Sequence, residues 1–169
     1  AEPPLAEPPK PHGPVPNARQ LKWHELEFYA FIHFTVNTFT DREWGFGDES
    51  PSAFNPTAFD ADQIVRACKD GGMRGLILTA KHHDGFCLFA SQHTDFHCGN
   101  TPYAGDLLKK LAEACHRRKF PLCLYYSIAD WHHPNYPNQG RHHELPPQPG
   151  DRPNLDQYTE YVRAQVTEL

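Results

Sequence analysis

The chain has 169 residues, with 16 basic and 21 acidic side chains and a formal charge of −5 at neutral pH. That length makes one domain or part of one, and the acidic balance argues against a protein built to grip nucleic-acid phosphates. No apolar run approaches the roughly 20 residues that cross a bilayer, so no membrane span is expected. Prolines (17), histidines (12) and aromatic rings (11 Phe, 7 Tyr, 3 Trp) are plentiful. Rings at this density suit stacking on sugars or flat ligands, though a core draws on the same residues. The five cysteines, Cys68, Cys87, Cys98, Cys115 and Cys123, form no CxxC pair, which argues against a zinc ribbon or a thioredoxin-like site. Cys68, Cys115 and Cys123 sit in apolar-periodic segments and read as small buried hydrophobes, while a Cys87–Cys98 bridge has weak support.

Residues 1–20 carry seven prolines and almost no large apolar side chain, so they read as a disordered tail ahead of a folded part spanning 21–169. No basic-then-apolar leader precedes the tail; an export signal was either removed or never there, and a secreted, periplasmic or lysosomal-type compartment is expected. Residues 27–34 form an aromatic strand-like run, followed by a polar loop over 35–59. Asp60 is placed to cap a helix that Gly71 and Gly72 stop, and residues 75–80 (GLILTA) read as a strand buried on both faces. The pattern then repeats. A polar loop over 81–104 leads to a helix near 106–119, a third strand over 121–126, a His- and Pro-rich loop over 127–153, and a final helix capped by Asn154.

Long loops follow every strand and short returns follow the first two helices. That asymmetry belongs to a parallel α/β fold in which the loops after the strands build the site. Three βα units fall short of the about 250 residues of a closed (β/α)8 barrel, so the chain is either a small open α/β domain or the first part of such a barrel.

The chemistry-bearing residues gather in these loops: His33, Glu43 and Trp44 after the first strand; Lys81, His82, His83 and Asp84 after the second; Tyr126, Asp130, Trp131, His132 and His133 after the third. Imidazoles, carboxylates and indoles on one face suit a sugar, whose hydroxyls need paired donors and acceptors and whose C–H face packs on rings. Blander readings compete. His33 alone in a strand suits a core histidine, and adjacent His82 and His83 point apart if the backbone is extended. His82, His83 and Asp84 also offer metal-ligand chemistry, without a recognised spacing. His132-His133 and His142-His143, in Pro-rich loop, read as solvated. Lys81 suits a Schiff-base or phosphate role, but partnership with a nearby carboxylate is the simpler reading. No GxGxxG, P-loop or GxSxG motif is present.

The runs FIHFTVNTFTDREWGFGDESPSAFNPTAFDADQ, GGMRGLILTAKHHDGFCLFASQHTDF and LYYSIADWHHPNY resemble family 29 glycoside hydrolases, the retaining α-L-fucosidases, in order and spacing from about residue 28 to 169. The resemblance implies the first three βα units of an incomplete (β/α)8-type barrel, acting on terminal α-L-fucose of glycans. The NTFTDREWG run is closest to the branch that prefers α-1,3/1,4 linkages. It also implies that His33, Glu43, Trp44, His82, His83 and Tyr126 bind the sugar, that Asp84 orients the imidazoles, and that Asp130 with Trp131 plays a supporting part. Neither cofactor nor metal is implied. In this family the nucleophilic aspartate follows strand four and the acid/base lies later, so the resemblance gives this chain no catalytic residue and predicts no activity by itself. The alternatives are a fucose- or carbohydrate-binding α/β module without catalysis, and a metal-dependent hydrolase using His82, His83 and Asp84.

Overall fold

The computed structural model describes residues 6–137 and 149–169. Within them three strands, β1 (Ala30–Ile32), β2 (Leu76–Lys81) and β3 (Leu122–Tyr126), form one parallel sheet in the order β1-β2-β3. Four helices accompany it: α1 (Ala18–His24), α2 (Ala61–Asp70), α3 (Leu107–Arg117) and α4 (Leu155–Glu168). The three longer helices begin at polar caps, two of them, Asp60 and Asn154, as expected and the third, Asp106, at the start of the expected helix. The side chains of Asp60, Asp106 and Asn154 accept from the backbone N–H three residues on, at 2.9, 2.7 and 3.0 Å. Helices α2 and α3 end alike, with Met73 N donating to Cys68 O and Phe120 N to Cys115 O, both at 2.9 Å. Gly72 supplies the left-handed residue for α2, whereas Lys119 adopts it for α3.

Two boundaries differ from the sequence reading. Helix α1 starts inside the stretch read as tail, because Asn17 and Gln20 form a reciprocal capping box and Trp23 then packs its ring against Tyr29 at 4.7 Å. Strand β1 covers only the middle of 27–34. Glu27 takes a left-handed backbone, and at the far end Phe34 N donates to the Thr79 hydroxyl.

Alternation along β2 sorts the sheet into two faces. Leu76, Leu78 and Ala80 enter a core with Val65 and Cys68 of α2 and with Leu107, Leu111, Ala114 and Cys115 of α3. The register pairs Phe31 with Ile77, Ile77 with Cys123, and Thr79 with Tyr125, placing these residues on the opposite face. Between Thr79 and Lys81 the register slips by one, so that Lys81 pairs with Tyr126. Two residues of β2 thereby oppose one of β3, and Lys81 turns onto the helix side of the sheet.

There Lys81 is fully buried. Its ammonium donates to Asp130 Oδ2 at 2.7 Å and to Tyr158 Oη at 3.3 Å, and lies 4.5 Å from the centre of the Tyr126 ring. The expected carboxylate partner of Lys81 is thus Asp130. Helix α4 docks on the same cluster, with Tyr158 Oη donating to Ile128 O at 2.7 Å and Gln165 accepting from Tyr126 Oη at 2.7 Å.

The segment over 81–104 is not the polar loop expected from sequence. Phe86, Cys87, Leu88, Phe89, Phe96 and Cys98 are buried, and Leu88 N donates to Ala80 O at 2.9 Å, so the loop extends the core beyond the strand end. All five cysteines are free, which rules out the Cys87–Cys98 bridge. Those two residues meet through the backbone, Cys98 N to Cys87 O at 2.9 Å, while the Cys87 thiol accepts from Gln165. Cys68 and Cys115 are buried as expected and Cys123 half-buried. No helix among the described residues is long and apolar enough to cross a membrane.

Removing one member of the Lys81–Asp130 pair strands a buried charge. Lys81→Met should lower the unfolding free energy in urea by about 3–5 kcal/mol, and Lys81→Met with Asp130→Leu should recover much of that loss. A loss under about 1 kcal/mol in the single variant would show that the pair does not secure this region.

Candidate functional site

The ends of the three strands converge on one surface. His33 follows β1 and packs on Phe31 at 4.4 Å between ring centroids and on His82 at 5.4 Å. His82 and His83 follow β2. Their rings lie 4.3 Å apart because the chain turns where Gly85 N donates to His82 O at 3.0 Å, so the opposed orientation of an extended pair does not arise. Trp44 stacks on His83 at 5.9 Å and 17°, and Trp131 closes the group at 5.4 Å from His83 and 6.2 Å from Trp44.

Hydrogen bonds to main-chain carbonyls lock the three loops together. Trp131 N donates to His83 O at 2.7 Å, and His132 Nδ1 donates to Gly47 O at 2.8 Å. Asp130 Oδ1 accepts from the backbone N–H groups of His132 and His133 at 3.0 and 2.8 Å, which fixes the turn that carries Trp131. Gly47 and Gly85 both have positive φ, and a Cβ on either would strike this turn: at Gly47 it would lie 2.6 Å from the Trp131 carbonyl carbon, and at Gly85 against the Asp130 carboxylate.

Not every expected residue joins. Tyr126 points to the helix side, its hydroxyl bonded to Gln165. Its neighbour Tyr125 occupies the other face instead, 6.0 Å from His82 and 5.6 Å from Phe31. Glu43 is exposed, and its carbonyl accepts from Asn37 Nδ2 at 3.2 Å. Asp84 is fully buried and accepts from the Thr35 hydroxyl at 2.6 Å and from Phe86 N at 2.8 Å, so it ties two loops together rather than orienting an imidazole. That orienting contact belongs to Ser127, whose Oγ lies 2.6 Å from His83 Nδ1. His33 is exposed, against the core reading. His132 stacks on Phe96 at 4.1 Å and His133 packs at a tilt against Tyr161 at 4.2 Å, so neither is the solvated residue that the Pro-rich loop suggested; His142 and His143 lie outside the described residues.

Among the described residues no group of three or more His, Cys, Asp or Glu is arranged to hold a metal ion, and Asp84 is turned away toward Thr35. Burial lowers His82 to about 4, with His83 and His33 adding to the effect, and burial also lowers His83, with His33 adding. Near pH 7 both rings are therefore uncharged, each with one N–H donor and one lone-pair acceptor. Neutral imidazoles beside exposed indole faces can bind a ligand that carries hydroxyls along one edge and C–H groups on another.

The alpha-L-fucosidase family model matches residues 15–169. The chain belongs to the alpha-L-fucosidase family. It is 41% identical to an Arabidopsis thaliana protein named alpha-L-fucosidase 1 over 167 residues, which is 95% of this chain and 30% of that protein. The human plasma alpha-L-fucosidase is 26% identical over 114 residues, covering 66% of the chain and 24% of the relative. Among solved structures, a glycoside hydrolase 29 family member from an unknown rumen bacterium aligns with a TM-score of 0.78 at 41% identity, over 94% of this chain and 26% of that one. The chain thus spans less than a third of the length of these family members.

Asp84 and His82 pull the pH dependence of this fucosidase-family fold in opposite directions. Burial pushes Asp84 up to about 7, with Glu49 and Asp130 adding to the rise, so it stabilises the fold fully below its ordinary value of 3.8 and loses that contribution as pH climbs toward 7. His82 contributes above its ordinary 6.5, and that contribution is lost as pH falls toward 4. In Asp84→Asn the first effect disappears, so the stability of the wild type relative to the variant should fall as pH rises through 7. Urea midpoints measured well below and above that pH test it. An unchanged difference would mean that the Asp84 proton is not held by the fold.

Proposed function

We propose that this chain is the sugar-binding part of a retaining α-L-fucosidase, formed by the first three βα units of a (β/α)8 barrel, and that it holds terminal α-L-fucose of a glycan. The NTFTDREWG run favours α-1,3/1,4-linked fucose. The observation that carries the proposal is the convergence of His33, His82, His83 and Trp44 on one face at the strand ends. Fucose has hydroxyls for the imidazoles and an apolar methyl-bearing side for the indoles. Support for an incomplete barrel comes from the outer strands, β1 and β3, each paired on one side, and from Phe31 and Ile128, left 45% and 70% exposed. The kinship with a plasma enzyme supports a secreted or lysosomal-type setting.

The chemistry of a retaining glycosidase needs two carboxyl groups about 5–5.5 Å apart across the scissile bond. Three carboxylates near this surface have other duties: Asp84 ties loops, Asp130 pairs with Lys81, and Glu49 accepts from Phe46 N and Gly47 N, which leaves exposed Glu43 as a single carboxylate where the chemistry needs two. The chain's own part is therefore to bind and orient. In the complete enzyme, hydrogen bonds from the sugar hydroxyls to these imidazoles would tighten as positive charge develops on the sugar ring.

Titrated with L-fucose, the chain should show perturbed ring signals for His33, His82 and His83 in NMR spectra, and with an aryl fucoside it should release no phenol above buffer background. Trp44→Ala should weaken the binding about tenfold. Clear turnover, or imidazole signals that ignore fucose, would overturn the proposal.

A further inference from the structure

The Ser127 hydroxyl has one proton and two close neighbours. Its Oγ lies 2.7 Å from Ala129 O and 2.6 Å from His83 Nδ1. A carbonyl oxygen can only accept, so the hydroxyl proton goes to Ala129 O and Oγ is left to accept from His83. Ser127 cannot swing away. It is 2% exposed, and its backbone N–H is tied to Lys81 O at 2.9 Å, as the last link between β2 and β3. We infer that Ser127 is a positioning residue that holds His83 as the Nδ1–H tautomer, so that His83 Nε2, across the ring, serves the ligand as a lone-pair acceptor. Burial, which keeps the ring uncharged, leaves that lone pair free of a proton near pH 7.

The assignment deepens the fucose reading and rests on it only for the ligand. It makes His83 a selector for a hydroxyl that donates. The ring is clamped on one face by Trp44 and approached by Trp131 and His82, so the acceptor cannot rotate to follow a mismatched partner. The sugar hydroxyl that meets Nε2 must give its proton there and accept from elsewhere. A group that only accepts would face the lone pair without a hydrogen between them.

Long-range nitrogen–proton NMR of the histidine rings in the full chain tests this directly. The expected result is a protonated, pyrrole-type Nδ1 and a pyridine-type Nε2 on His83. The tautomer should become mixed in Ser127→Ala and return in Ser127→Thr, which keeps the hydroxyl. Fucose affinity should fall roughly 5- to 100-fold in the alanine variant and recover in the threonine variant. Fucose should perturb the Nε2 signal, and an analogue bearing fluorine, which accepts but cannot donate, at the contacting position should not. A protonated Nε2 in the wild type overturns the inference, even if Ser127→Ala fails to fold; so does a well-folded Ser127→Ala with an unchanged His83 spectrum. A protonated Nδ1 in a protein whose rings ignore fucose would uphold the role of Ser127 and refute the functional reading instead.

Discussion

A lysine ammonium and an aspartate carboxylate, both removed from water, set the geometry on which the rest of this molecule depends. Lys81 reaches Asp130 only because the β2–β3 register slips beside Ala80; without that slip it would share the face of Thr79 and Tyr125. The pair is costly to bury unless both groups find several partners, and here both do. Asp130 Oδ2 takes the lysine, Oδ1 takes two backbone N–H groups, and the lysine also meets Tyr158 and the face of Tyr126. One interaction therefore joins β2, the turn after β3 and helix α4, and it leaves the opposite face of the sheet to His82, His83 and Tyr125.

That division of labour explains which carboxylates matter for structure. Asp84 and Asp130 are both buried near the site, but each has its oxygens committed, one across the loops after β1 and β2 and the other along the turn after β3. The imidazoles are held by rings and by a hydroxyl rather than by charge. An uncharged hydrogen-bonding surface discriminates among hydroxyl patterns without attracting every anion in solution, which suits a neutral sugar.

Much of this was legible in the sequence, for local reasons. Asp60, Asp106 and Asn154 stand where caps must stand, and the apolar runs of β2 and β3 have few other ways to be buried. The family likeness rested on runs whose histidines and first tryptophan do meet in space. What failed was long-range. Choosing Tyr126 over Tyr125 is a one-residue error in a period of two, and the pairing of β3 with β2, which sets Leu122 and Leu124 beside Leu76 and Leu78, decides it. The partner of Asp84 is 49 residues away, and Ser127 looks like any strand-end serine until the chain bends back to Ala129. The buried loop after β2 did carry a signal, since FCLF is too apolar for a solvated turn, but its core lies past the end of the strand, where alternation gives no guide.

Surface loops usually absorb insertions because their neighbours are water. The three loops here meet at two glycines, Gly47 against the backbone of Trp131 and Gly85 against the side chains of Asp130 and His132, so the space between them leaves no room for a side chain at either. Lengthening any one of them would displace an aromatic ring borne by another. The three segments must therefore drift together over generations or not at all, and variation among relatives should concentrate at the outer rim, away from those crossings.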